Sequence, residues 1–197
     1  VERYTRTAEP IALAVTLDDA KRHLRIDFDI EDMYIRSLIE TAVAWLETAV
    51  GRTLITTNWK VIGETWPCGR LIELKFPPLQ EITSVKYYDE DDVLQTLATD
   101  KYLTILDDFM PGGIELKHEE TWPALGIRHD AVQIEYVAGY GDLPSEIPHT
   151  ARQCILMLVG HWYLNREAVL VGTISKEIEL AVASLARTLK TCFVPGA

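Results

Sequence analysis

The stretch GYGDLPSEIPHTARQCILMLVGHWYLNRE, residues 139–167, decides how this chain is read. Two glycines flank Tyr140, and His149, Cys154 and His161 then fall within a largely apolar run. As chemistry, that combination suggests a metal centre, a Cys-His nucleophile or a phosphate loop. As structure, it is a strand exit, a helix start and a helix. Helical zinc ligands converge when they are three or four residues apart, whereas these three are separated by five and seven. Cys154 and His161 share roughly one face, but their backbones are about 10 Å apart along a helix. Cys154 also lies inside the run beside Ile155, Met157 and Leu158, where apolar surroundings raise a thiol pKa instead of activating it. The AGYGD turn has neither the GxGxxG nor the GxxxxGK[ST] spacing, and no lysine follows it to hold a phosphate. The remaining reading is geometric: Gly139 and Gly141 let a strand turn sharply into a helix. Ser145 is the expected N-cap, and Pro148 sits in the first turn where proline is tolerated.

This helix is apolar around nearly its whole circumference, at Ile155, Leu156, Leu158, Val159, Trp162 and Tyr163. Such a helix sits centrally in a bundle or between subunits. Downstream, EIELAVASLARTLKT puts Ile178, Val182, Leu185 and Leu189 on one face of a last helix, and CFVPGA reads as a tail. Upstream, from Thr56 to Ala138, the period changes to two. TNWKVIGETW, RLIELKF, ITSVKYYD, DKYLTIL, GIELKHE and AVQIEYVAG predict six short strands of an antiparallel sheet or small barrel. PCG at 67–69, PPL at 77–79, DEDD at 89–92 and PGG at 111–113 are the expected joins. Before this block, Thr16 caps a short helix with Asp18 and Asp19 in its first turn. A longer helix from about Glu31 to Val50 carries Ile35, Leu38, Ile39, Ala42, Trp45, Leu46 and Ala49 as an apolar stripe, stopped by Gly51. The predicted class is α+β: a helical core, with long helices near both ends, and an inserted antiparallel β subdomain. Residues 1–55 hold the N-terminal helices, 56–138 the insertion, and 139–197 the C-terminal helices and tail, all within one domain.

The totals narrow the function. The net charge is −11, with acids clustered at 27–32, 89–92, 107–108 and 119–120. A surface of that sign repels phosphate backbones and anionic lipid, which disfavours a DNA-binding module or a peripheral membrane protein. The three cysteines, Cys68, Cys154 and Cys192, lack ligand spacing and predict free thiols, not a disulfide framework. The longest apolar run is about half of the ~20 residues a membrane-spanning helix needs. The first ten residues contain no signal-peptide core, so export is not expected. No cofactor or metal is expected.

LDDAKRHLRID, DMYIRSLIETAVAWLETAVGRTL, FPPLQEITSVKYYDEDD, VQIEYVAGYGD and IPHTARQCILMLVGHWYLNREAVLVGT, in this order, resemble the head-tail connector (adaptor) proteins of tailed bacteriophages and gene transfer agents. The resemblance implies a non-enzymatic virion structural protein that assembles in the bacterial host cytoplasm. It implies a homo-oligomeric ring, typically of twelve copies, below the portal protein in the particle neck. Such a ring extends the DNA channel, passes DNA without sequence-specific binding, and presents a surface to stopper or tail proteins. Residues 31–50 and 146–165 would form the ring body. Trp162, Tyr163, Asn165, Arg166 and Glu167 are the expected subunit interface, against the blander reading that 165–167 end the helix in solvent. Leu189, Phe193 and Val194 are the expected portal-facing end. Two alternatives stand beside this reading. One is another neck component, a stopper or tail-completion protein; the other is a small metal-dependent hydrolase built on His149, His161 and loop acids.

Overall fold

The computed structural model describes residues 2–107, 110–166 and 175–190, with backbone alone over 175–179. The chain is mixed α+β and divides into two compact units. One comprises the described residues of Val1–Pro10 and Thr56–Gly139; the other comprises those of Ile11–Ile55 and Tyr140–Cys192.

The second unit is helical. Helix α1 (Leu17–Leu24) starts where the Thr16 hydroxyl accepts the Asp19 N–H at 3.0 Å, the cap read from the sequence. It ends at Arg25 in the left-handed conformation. Helix α2 (Asp32–Val50) ends at Gly51, at φ 69°, as expected. Its buried stripe is Ile35, Ile39, Ala42, Leu46 and Val50, with Glu47. Trp45 and Ala49, expected on this stripe, face outward instead. The spacing of four, three, four and four residues centres the buried face on Ile39 and Ala42, and those two positions fall beside it.

Helix α3 (His149–Leu164) has its cap at Pro148, three residues later than the expected Ser145. Ser145 lies instead in a 3₁₀ turn over Pro144–Glu146, and Pro148 takes the cap position without a side-chain bond. The missing proline N–H costs nothing there, because the first N–H groups of a helix have no helical acceptor. Before it, Gly139 adopts φ 138°, a region that a side chain resists. A Cβ on Gly141 would run into the Glu146 carboxylate, which accepts the Leu143 N–H at 2.8 Å. Both glycines are therefore required by turn geometry, as read from the sequence.

Ala151, Cys154, Ile155, Leu158 and Val159 of α3 pack with the α2 stripe. Helix α4 (Ser175–Leu189) adds Val182, Ala186 and Leu189 to the same core. Where the chain leaves and re-enters this unit, the Tyr140 N–H donates to the Leu54 carbonyl at 3.0 Å, and Ile55 bridges Gly141.

The first unit has two antiparallel sheets. The larger has the order β1-β2-β8-β4-β5, formed by β1 (Arg3–Arg6), β2 (Thr57–Gly63), β4 (Leu79–Tyr88), β5 (Leu94–Thr96) and β8 (Val132–Ala138). The smaller is β3-β7-β6, with β3 (Leu71–Glu73), β6 (Tyr102–Ile105) and β7 (Gly113–Leu116). Period-two burial in β2 and β8 brings Trp59 opposite Tyr136 and Val61 opposite Ile134. With Val85 of β4 and with Ile72, Tyr102 and Ile114 of the smaller sheet, they form one core. All six expected strands are present.

Two further strands escape the sequence reading. β1 is polar, yet it pairs along β2 from Arg3↔Ile62 to Arg6↔Trp59. β5 is three exposed residues closing the DEDD turn, where Asp89 Oδ1 accepts the N–H groups of Asp91 and Val93. The side chain of Gln95 donates to the same carboxylate, and this bond above all holds the Asp89 carboxyl below its usual range. Leu79 begins β4 and so is not part of the PPL turn.

Candidate assembly surface

The chemical site residues do not assemble. His149 opens α3 and His161 lies in its last turn, about 18 Å away along the axis. Cys154 is buried between them with Sγ near the Val182 carbonyl, and burial pushes its thiol pKa up. His161 Nδ1 lies 3.3 Å from the Asn165 amide. Among the described residues no three His, Cys, Asp or Glu side chains converge as a metal site. Equilibrium dialysis against zinc is expected to find no stoichiometric ion. An ion retained by the chain and lost in His149→Ala/His161→Ala would restore the metalloenzyme reading.

The end of α3 holds a polar cluster. Arg166 donates from Nη2 to both Glu31 oxygens, at 2.7 and 2.8 Å, and the Tyr163 hydroxyl donates to Glu31 Oε2. The guanidinium lies 4.7 Å from the centroids of both the Tyr34 and Tyr163 rings. Glu31 is the residue before α2, so the cluster clasps the start of α2 to the finish of α3. The Tyr163 bond first, and then Arg166, hold the Glu31 carboxyl below its usual range. The same bond raises the Tyr163 phenol, with burial adding to it.

This clasp therefore stabilises above the ordinary carboxylate value of 4.5 and is lost as pH falls through the depressed Glu31 value. On the alkaline side its contribution is complete below 10.0 and is lost as pH rises through the raised Tyr163 value. The melting-temperature difference between the wild-type chain and Tyr163→Phe is expected to be constant at neutral pH and to shrink in acid. A difference that persists with all carboxylates protonated contradicts the clasp.

The structure describes four of the five expected interface residues. Asn165 ends the helix, its amide donating to the His161 carbonyl at 2.9 Å. Tyr163 and Arg166 are engaged within the chain, Trp162 is half-buried against the helical core, and Glu167 lies outside the described residues. Of the expected portal-facing residues, Leu189 is buried in that core and its carbonyl accepts Nε of buried Arg52 at 2.6 Å. This bond satisfies one of the last-turn carbonyls of α4 with a cation, the sign a helix C-terminus favours. Phe193 and Val194 lie outside the described residues.

The sequence reading missed Glu31 and Tyr34 as partners of Tyr163 and Arg166. Nothing linear joins positions more than 130 residues apart. The available signal was the placement of Glu31 and Tyr34 three residues apart, on one face where α2 begins. Around the clasp, the apolar side chains of Phe28, Ile30, Met33 and Leu164 face outward. An exposed apolar group beside Tyr and Arg has the composition of a protein-protein contact rather than a catalytic cleft.

Residues 14–90 match the Phage gp6-like head-tail connector protein family. The span matched to this connector family runs from the α1 cap through α2 and the strands up to β4. Solved structures extend the likeness to the whole chain. A chain of the "Virion of native gene transfer agent (GTA) particle" is 21% identical with a TM-score of 0.82, covering 98% of both chains. A chain of the "Neck of empty GTA particle computed with C6 symmetry" is 20% identical at 0.81, covering 99% of this chain and 98% of that one. One from the "Neck of native GTA particle computed with C12 symmetry" is 20% identical at 0.78, with the same coverage. At these identities the likeness establishes a shared fold. No curated protein matches the chain.

Proposed function

We propose that this chain is a head-tail connector (adaptor) of a tailed phage or phage-like particle, a structural protein without catalysis. The observation that carries the reading is end-to-end similarity of fold to chains of GTA particle necks, joined to the connector-family match over 14–90. In this reading the chain is one connector domain, a helical core with a β subdomain inserted over 56–138. Copies form a ring, twelve in the particle, below the portal protein in the neck. The ring extends the DNA channel and meets stopper or tail proteins on its far side. Its assembly takes place in the host cytoplasm. Acidic surfaces suit a channel through which DNA must slide, since each phosphate neutralised by a protein cation would add to the hold. The end of α3 remains the proposed neighbour-facing region, and Phe193 and Val194, outside the described residues, remain the proposed portal-facing end.

A second neck role, as stopper or tail-completion protein, makes a different prediction. An adaptor binds isolated portal protein directly, whereas a stopper binds only once the adaptor is in place. Co-sedimentation of the purified chain with portal rings is the expected result. Failure to bind portal, with binding to a preassembled portal-adaptor complex, would reassign the chain.

A further inference from the structure

Resting on the ring reading above, we propose that neighbouring copies meet head to tail through two specific ends of the helical unit. The clasp end, with Phe28, Ile30, Met33 and Leu164, is one half. The outward face of α4 and the residue that follows it, with Leu180, Arg187 and Lys190, is the other. Ile30 is 93% exposed, Leu164 80% and Met33 79%, although the helices behind them bury their apolar stripes fully. The clasp brings these side chains to one end of the unit, because Glu31 is bonded to Tyr163 and Arg166. A contiguous apolar group of this kind on a folded body marks a contact with another protein.

Charge says what covers it. Asp27 and Asp29 are exposed beside Phe28 and Ile30. Asp29 and Asp32 share one cation, Lys21, and Asp27 has no ion pair among the described residues. The partner surface should therefore be apolar and cationic. The exposed face of α4 has that composition: Leu180 is 69% exposed, and Arg187 and Lys190 are exposed without an ion pair among the described residues.

The cations of the second half, Arg187 and Lys190, lie at the opposite end of the unit from the clasp. The Leu189 carbonyl is held by Arg52, just past the end of α2, whereas the clasp is at its start, about 27 Å away along the helix. A closed ring needs two different, complementary patches on each copy, placed so that one copy cannot satisfy its own. A foreign partner would require only one of them. Opposite charge on opposite ends of a single body therefore favours a second copy of this chain.

The test is made in cells that produce the particle. A photoreactive phenylalanine analogue replaces Leu164, and irradiated particles are probed for adducts. The expected product is a crosslinked dimer of this chain. Asp27→Arg and Arg187→Asp each lower its yield about tenfold by setting like charges together, and the two combined restore it. All these positions are exposed, so unchanged circular dichroism is expected and separates loss of contact from loss of fold. Adducts only with a different protein, or no dimer although the chain is in the particle, overturn this contact and leave the connector reading standing. A dimer yield indifferent to both single reversals overturns the α4 half. A chain absent from particles overturns both the contact and the connector reading.

Discussion

Leu46→Ala is expected to destabilise the helical unit by about 2–5 kcal/mol, whereas Trp45→Ala, one residue away, should cost less than about 1 kcal/mol. Both side chains are large and apolar, and the sequence pattern puts both on one stripe. The structure separates them: Leu46 is fully buried among Ile39, Ala42 and Val50, while Trp45 faces outward. Deleting the buried side chain loses its transfer free energy and leaves a cavity that three packed helices can only partly close. Urea unfolding followed by far-ultraviolet circular dichroism reads the difference. Equal costs for the two substitutions would contradict the packing.

Gly113→Ala is expected to cost the β unit about 3 kcal/mol. The sequence reads PGG as a turn, where an added methyl matters little. In the structure Gly113 begins β7, the central strand of the smaller sheet, opposite Glu73 on one side and Ile105 on the other. A Cβ there would strike the Ile72 carbonyl, with Cα of Glu73 at 3.3 Å. Backbone on a paired strand cannot rotate away as a side-chain tip can, so relief requires the sheet to shift. A loss of only about 0.5 kcal/mol, the scale of an ordinary surface change, would show that β3 and β7 do not approach so closely. Thermal unfolding of the full chain followed by tryptophan fluorescence, to which this unit contributes three of the five indoles, Trp59, Trp66 and Trp122, makes the measurement.

How much was legible follows from where each signal resides. Helices α1 and α2 were readable because their caps are local: Thr16 bonds Asp19 three residues on, and Gly51 closes α2. Six strands were readable from period-two burial. β1 was not, because RYTR has no apolar alternation and exists as a strand only through its pairing with β2. β5 was too short to show a period. The α3 start was misplaced by three residues because a serine cap and a proline start compete in PSEIPH, and the chain uses the proline.

The candidate surface was half legible. Tyr163 and Arg166 stood out at a helix end, but their partners Glu31 and Tyr34 become neighbours only when α2 and α3 pack antiparallel. The same packing joins Tyr163 and Arg166 to Glu31 in a clasp with an apolar rim. Residues such as Ile30 and Met33 look like ordinary helix-start residues in the sequence, and only their exposure in the fold makes them informative.

A connector belongs in the neck of its particle. Electron microscopy of the neck, at a resolution that traces helices, tests that placement most directly. The expected result is a ring of density immediately below the portal into which α2, α3 and the two sheets of this chain fit, repeated around the axis. A neck fully accounted for by other chains, with no density for this one, would contradict it.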